Sequence, residues 1–431
     1  MALQLQELLH FYKMTLTEDF IPFWDKAFDQ EHGGYYTCFS NDGSRLLSTD
    51  KYIWSQGRML WIDSRFAELM RCGIIPGEAK ERLARAKKTF QFIDKHAILP
   101  DDQGVCAYLC ERDGTKKESI PGKGFYTSLY VDCFVIMGYA EYSRVSGERE
   151  PLAKALQLYD RLCARIAAGS LVSEPYPIPE GFQAHSIAMI MTNVTDVLYG
   201  ALKAAAHPRE QEVENAARGY VTQVMTQFYD SERRLIREMV PLHEEDQDTL
   251  LARHVNPGHA VECMWFCLHV LSTTGWNEVY AARAFDVVAN SILAGWDTRY
   301  GGLLRITNGH RQKPEGRRLD HPYESLLVDT WDTKLWWPHS EALYTTLLCY
   351  RLSAQKERFL SLYEMVSEYV FRVFPNPDRG IGEWIQILDR ENRPMDKVVA
   401  LPVKDPYHIM RNLLLIIELL TEMQADGIAE L

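Results

Sequence analysis

The chain has 431 residues, of which 46% are hydrophobic, 25% charged and 11% aromatic, with a formal net charge of −12. This is globular composition, and it excludes disordered, collagen-like and disulfide-scaffold classes. An acidic balance without a sustained basic run speaks against a nucleic-acid role, and no apolar run reaches the roughly 18 to 20 residues of a membrane span.

The opening MALQLQELLHFYKMTLTEDF lacks a basic start and a short apolar core, so no signal peptide is read there. Nine cysteines, an odd number with no CxxC pair, suit reduced thiols and a cytoplasmic protein. At this length two or three domains are the ordinary expectation, unless internal repeats build one.

Along the chain the pattern alternates between two kinds of predicted helix. Charged, one-sided helices are predicted over 3–20, 77–97, 151–168, 209–229, 277–294 and 356–374; helices apolar almost all round follow each of them, over 55–72, 124–146, 184–206, 258–274, 338–354 and 405–424. Between each outer helix and its inner successor lies a long loop with an Asp and Gly turn. The clear copies are Asp29 to Tyr35, Asp102-Gln103-Gly104, Asp297 to Gly302 and Asp378 to Gly382, with weaker ones near Ser173–Gly181 and Asp230–Arg237. These loops recur at intervals of roughly 57 to 81 residues, a period suited to a helical pair plus a loop. Alternating residues beside two of them, Tyr35–Phe39 and Leu303–Ile306, read as hairpin strands.

Six one-sided helices alternating with six all-round apolar ones imply two concentric rings: an all-α (α/α)6 barrel, one domain over 1–431. Short turns at 71–73, 145–147 and 273–275 lead from an inner helix outward, so the long loops gather at one end, where binding and catalysis sit.

The inner-helix starts carry the polar residues at that end: Arg58, His185 with Asn193, His259 with Glu262, His339 with Glu341, and His408 with Arg411. A buried charge needs a partner or a cavity. Two histidines on distant helices, each with a charged neighbour three residues on, form a two-base site that can take a proton from one face of a substrate and return it on the other. Arg58 is placed to hold the oxyanion formed on proton loss. Trp336 and Trp337 precede an inner helix and suit a sugar platform, while His269, in an apolar run, reads as core. The pairs Cys106/Cys110 and Cys263/Cys267 have metal-clip spacing without further ligands and read as packing. Glu262, Glu341 and Glu383 as a glycosidase pair, or His259, Glu262, His339 and His408 around a metal, are weaker alternatives. No nucleotide fingerprint occurs.

On the stretches KYIWSQGRMLW (51–61), NPGHAVECMWF (256–266), KLWWPHSEALYTTL (334–347) and LPVKDPYHIMRNL (401–413), the chain resembles the N-acylglucosamine 2-epimerase family, which includes cellobiose 2-epimerases and mannose isomerases. The resemblance implies an (α/α)6 barrel that opens a sugar ring, deprotonates the carbon beside the aldehyde and reprotonates it. On that basis His259 and His408 are the general acid/bases, Arg58 binds the oxyanion, Glu262 and Glu341 orient the histidines, and Arg411 helps hold substrate. Trp336, Trp337, Asn193 and His185 are the remaining candidate substrate-binding residues. The resemblance further implies a small sugar as partner, no metal and no required cofactor, ATP as an allosteric activator, and a homodimer.

In the cellobiose and mannose branches the third inner helix carries an asparagine and then two histidines. Here it reads HSIAMIMTNVTDVLYGAL, with Asn193 roughly at the second histidine's place, a departure toward the N-acylglucosamine branch. Aldose–ketose isomerisation or 2-epimerisation of unacylated hexoses, and a non-catalytic sugar-binding barrel, stand as the alternatives.

Overall fold

The computed structural model describes residues 4–100, 104–396 and 404–431. Among the described residues the barrel helices are α1 (Leu5–Met14), α2 (Ile53–Arg71), α3 (Ala79–His96), α4 (Tyr130–Ser146), α5 (Arg149–Ala167), α6 (His185–Ala204), α7 (Glu210–Gln223), α8 (Pro257–Thr274), α9 (Glu278–Gly295), α10 (Trp336–Leu352), α11 (Lys356–Val373) and α12 (Tyr407–Ala425). The two sequence patterns explain their places. The outer helix α5 buries one stripe, including Leu152, Ala155, Leu156, Tyr159 and Leu162. The inner helix α4 buries nearly every residue from Val131 to Ser143.

The even-numbered helices contact one another in the closed order α2, α4, α6, α8, α10, α12 and back to α2. Each odd-numbered helix packs outside its partner: α3 on α2, α5 on α4, α7 on α6, α9 on α8, α11 on α10, and α1 on α12. The last pairing joins the two ends of the chain, where the Leu5 N–H donates to the Ala429 carbonyl at 3.0 Å. This is the (α/α)6 barrel expected from the alternation. No helix among the described residues is long and apolar enough to cross a membrane.

Inner helices approach more closely than side chains normally allow at one crossing. A Cβ on Gly57 of α2 would lie 2.6 Å from the Phe134 carbonyl of α4, and one on Gly138 would lie 2.4 Å from the Gly57 oxygen. Backbone meets backbone here, so only glycine fits. At the other mouth, Gly147 in the left-handed region (φ 78°) closes α4 and turns the chain into α5 with one further residue.

The long loops carry short antiparallel ladders. Phe182–Ala184 pairs with Met239–Pro241, Lys334–Leu335 with Ile387–Leu388, and Lys51–Tyr52 with Leu109–Cys110. Each of these ladders runs straight into an inner helix, so pairing across the loop layer sets the position of the helix's first turn. Phe182, Met239, Leu250, Leu251, Ile306 and Leu327 form a second, smaller apolar core within that layer.

Several local expectations shift. The predicted helix over 124–146 begins only at Tyr130, because the Leu129 N–H donates to the Val172 carbonyl and the Glu174 N–H to the Thr127 carbonyl, an isolated bridge that holds Ser128 beside Ser173. Helices expected over 3–20 and 209–229 change to π geometry at Thr15–Phe20 and Val224–Phe228, where Thr15 and Thr226 hydroxyls donate into the backbone ladder. Leu303–Ile306 forms no ladder; an isolated bridge pairs Leu303 with Trp296, and the N–H groups of Leu304, Arg305 and Ile306 donate to the Gly295, Thr333 and Trp331 carbonyls. Residue 3, Asp102-Gln103 of the second turn motif and residues 401–403 of the fourth resembling stretch lie outside the described residues.

Candidate active site

Asn256-Pro257-Gly258-His259 shows how local sequence places a functional group. Pro257 supplies the fixed φ of the first helical position, and the Asn256 side chain accepts the His259 N–H at 3.2 Å, capping α8. Gly258 lets α10 approach: a Cβ there would lie 2.6 Å from the Trp337 ring and 2.9 Å from Pro338. Trp337 therefore lies across the start of α8. Its ring centroid is 5.3 Å from the His259 imidazole and 5.5 Å from that of His408 at the start of α12. By the triangle inequality the two imidazoles are no further apart than those distances added, about 10.8 Å.

Each imidazole is tied through Nδ1 to a buried carboxylate. His408 Nδ1 is 2.7 Å from Glu341 Oε1, and His259 Nδ1 is 2.7 Å from Glu238 Oε1. Burial pushes the Glu341 carboxyl up, but Arg411 and His408 bring it down to about 2. Burial likewise opposes ionisation of Glu238, and the imidazoles of His259 and His185 hold it well below the ordinary carboxylate range. An ionised carboxylate only accepts, so Nδ1 of each ring carries the hydrogen and donates it. Both Nε2 atoms are left as the nitrogens that can take or give a proton. Burial pulls the His259 imidazole down, yet Glu238 outweighs it and the net shift is upward. Its side chain keeps 30% of its surface open.

Around His408 the network is dense. Arg411 Nη2 donates to Glu262 Oε1 at 2.5 Å and to Glu341 Oε1 at 2.6 Å, and Trp265 Nε1 donates to Glu341 Oε2 at 2.7 Å. Glu262, Glu341 and His408 offer ligand atoms within 4.8 Å of one another, the one such cluster among the described residues. The Arg411 guanidinium already lies on both carboxylates and offsets one of their two charges. On the other side of the ring, His408 Nε2 faces Arg58 Nη2 at 3.5 Å and Asp405 Oδ2 at 3.6 Å. Arg58 Nη1 donates to Asp405 at 2.7 Å, and its guanidinium lies 3.9 Å from the Phe134 ring and 4.6 Å from Trp54. Gln386 brackets Asp405, donating to its carbonyl and accepting its N–H, each at 2.9 Å.

Arg58, Glu262, Glu341, His408, Arg411 and Trp337 are thus brought together with His259, and several expectations change. The His259–Glu262 pair suggested by the three-residue spacing is not made: Glu262 turns to Arg411 and lies 3.5 Å from His408 Nδ1. Arg411, expected to help hold substrate, is 1% exposed and is taken up by the two carboxylates. Trp336 is packed into the core, one residue from Trp337 but 100° round the helix. His185 is fully buried behind Glu238, its Nδ1 3.6 Å from Oε2, and meets no open face. Asn193 lies two turns further along α6, buried, its Nδ2 without a hydrogen-bond partner among the described residues.

His339 is likewise part of the core. Its Nδ1 donates to the Leu335 carbonyl at 2.6 Å and its Nε2 accepts the Leu303 N–H at 2.7 Å, pinning α10 to the Asp297 loop. Burial drops its imidazole to about 3. Glu383 accepts from Trp24 Nε1 at 2.6 Å and lies buried beside Lys404, as an anchor rather than a hydrolytic acid. The residues that sequence reasoning missed are Glu238 and Asp405. Asp405 adjoins His408 in the chain and had a signal; Glu238 had none.

A helical barrel whose loop end presents two carboxylate-tied imidazoles and a buried guanidinium defines the class: a barrel built for proton transfer on a small polar molecule. The model of the N-acylglucosamine 2-epimerase (GlcNAc 2-epimerase) family matches residues 34–412, and the chain belongs to that family. It is similar to the N-acylglucosamine 2-epimerase of Bos taurus, 27% identical over 97% of this chain and 93% of the relative. The Homo sapiens N-acylglucosamine 2-epimerase is 27% identical over 93% of this chain and 87% of its own length. In fold it is similar to the cellobiose 2-epimerase of Bacillus thermoamylovorans, with TM-score 0.76, 19% identity, and coverage of 96% of this chain and 99% of the other.

Proposed function

We propose that the protein is a sugar 2-epimerase that interconverts N-acyl-D-glucosamine and N-acyl-D-mannosamine by removing and returning the C2 proton of the ring-opened sugar. The observation that carries this reading is the pair of imidazoles that both lie against the Trp337 ring, each with Nδ1 on a carboxylate, so that Nε2 is the nitrogen that exchanges a proton. With C2 between them, one Nε2 takes the proton as the C2–H bonding pair moves into a C1–C2 double bond. The aldehyde oxygen gains charge, which Arg58 neutralises from beside His408. The other imidazole, protonated, delivers its proton to the opposite face. A positioned base or acid contributes about 10²–10⁴-fold each.

Support for epimerisation over aldose–ketose isomerisation comes from α6. His185 is buried behind Glu238 and Asn193 carries no proton-transferring group, so the two imidazoles serve one carbon. The acylated sugar rests on the similarity to relatives named for it. One catalytic barrel over 1–431, read from the helix alternation, a cytoplasmic location, read from the reduced cysteines, and a homodimer with ATP as an activator, which rest on the family resemblance, complete the reading.

Incubation with N-acetylglucosamine or N-acetylmannosamine in heavy water should yield both epimers carrying deuterium at C2. Absence of C2 exchange in every aldose tried, with or without ATP, would falsify the reading. His259→Ala and His408→Ala should each abolish interconversion in a folded protein while sparing exchange of opposite epimers.

A further inference from the structure

Glu238 lies in the loop between α7 and α8, immediately before the strand Met239–Pro241 that pairs with Phe182–Ala184. Its carbonyl accepts the His185 N–H at 2.9 Å, locking it to the first residue of α6. Its side chain is 5% exposed, with Oε1 on His259 Nδ1 at 2.7 Å and Oε2 3.6 Å from His185 Nδ1. His185 is itself 0% exposed and packs against the Phe228 ring. The buried carboxylate thus meets two imidazoles, hydrogen-bonded to the one that is 30% exposed and 3.6 Å from the fully buried other.

We propose that Glu238 is the positioning residue of His259, with His185 bracing its second oxygen, so that the two bases of the proposed reaction are served by separate carboxylates: His259 by Glu238, and His408 by Glu341 with Glu262 and Arg411. This rests on the two-base reading and deepens it. Glu238 takes no proton from substrate. The C2 proton goes to His259 Nε2, Nδ1 keeps its own, and the carboxylate balances the imidazolium charge without leaving its two partners. Besides Glu238, the charged groups acting on His259 are Glu262 of its own helix and Arg305 of the Asp297 loop. Glu238 is also felt by His254 and by Tyr323.

The test is epimer-resolved C2 exchange in heavy water with N-acetylglucosamine and N-acetylmannosamine, run on Glu238→Gln, Glu262→Gln and His259→Ala. Glu238→Gln should lower kcat about 10²–10⁴-fold, as expected when an amide replaces the carboxylate that fixes a catalytic tautomer, with KM changed by less than about threefold. It should lose exchange from the same epimer as His259→Ala and keep exchange from the other. Glu262→Gln should show the opposite selectivity. For the affected epimer the acid limb of kcat/KM should move to lower pH in Glu238→Gln, because the neutral imidazole is no longer disfavoured. Should the amide variant fail to fold, Glu238→Asp serves, slowing the same epimer while leaving that limb in place. Equal slowing of both epimers, or wild-type exchange of both, overturns the assignment. Absence of exchange in the wild type would instead overturn the reaction itself.

Discussion

Gly258→Ala isolates the contact on which the site geometry depends. The added methyl would lie 2.6 and 2.8 Å from two carbons of the Trp337 ring and 2.9 Å from Pro338 Cβ. Carbon atoms pack at about 3.5–4.0 Å, so the indole must retreat by about 1 Å. Overpacking of this size costs about 1–3 kcal/mol, and alanine's better helix propensity returns up to about 1 kcal/mol. A net loss of about 1–2 kcal/mol spread over a chain this long lowers Tm by only about 1–3 °C. Trp337 touches both imidazoles, however, and a displacement of about 1 Å in a reacting constellation costs about 10²-fold in rate. The expected outcome is a folded protein with nearly unchanged Tm and kcat for epimerisation down about 10–100-fold. Thermal denaturation and initial-rate kinetics on the same preparation check it. A kcat within twofold of wild type would show that Trp337 does not hold the two histidines and would refute the argument.

Gly57→Ala should behave in the opposite way, since its Cβ meets the Phe134 and Val135 backbone at 2.6 and 2.8 Å and no side chain can swing aside; urea denaturation should show a loss of about 3 kcal/mol or more. For His339, burial holds the folded imidazole at about 3 while the unfolded one titrates near 6.5. From pH 6.5 downward the unfolded chain binds a proton that the folded chain refuses, so this group lowers stability as pH falls, by about 1.4 kcal/mol per unit until about pH 3. His339→Gln should be less stable at neutral pH yet show a shallower decline between pH 6 and 4, measured by urea titrations at stepped pH.

The barrel was readable because it rests on local periodicity. Helices such as 77–97 show one apolar stripe and 184–206 is apolar around most of its surface, and that difference alone assigns outer and inner rings. The order of short and long connections then sends Arg58, His259, Glu341 and His408 to one end, since direction along a helix is settled by sequence. What the pattern could not decide is which way each side chain turns within that end. Trp336 and Trp337 are neighbours in the chain with the same chemistry, and only the tertiary packing buries one in the core and lays the other, beside Gly258 of α8, against two imidazoles. Glu262 shares a helical face with His259, yet Arg411, from a helix about 150 residues away, draws its carboxylate elsewhere. Glu238 had no signal because its place comes from pairing Met239 with Ala184, a register between distant strands. Helix type and polarity follow from interactions a few residues apart, whereas the partner of a buried charge is chosen by whatever the closed ring brings within about 3 Å, and that is a property of the whole chain.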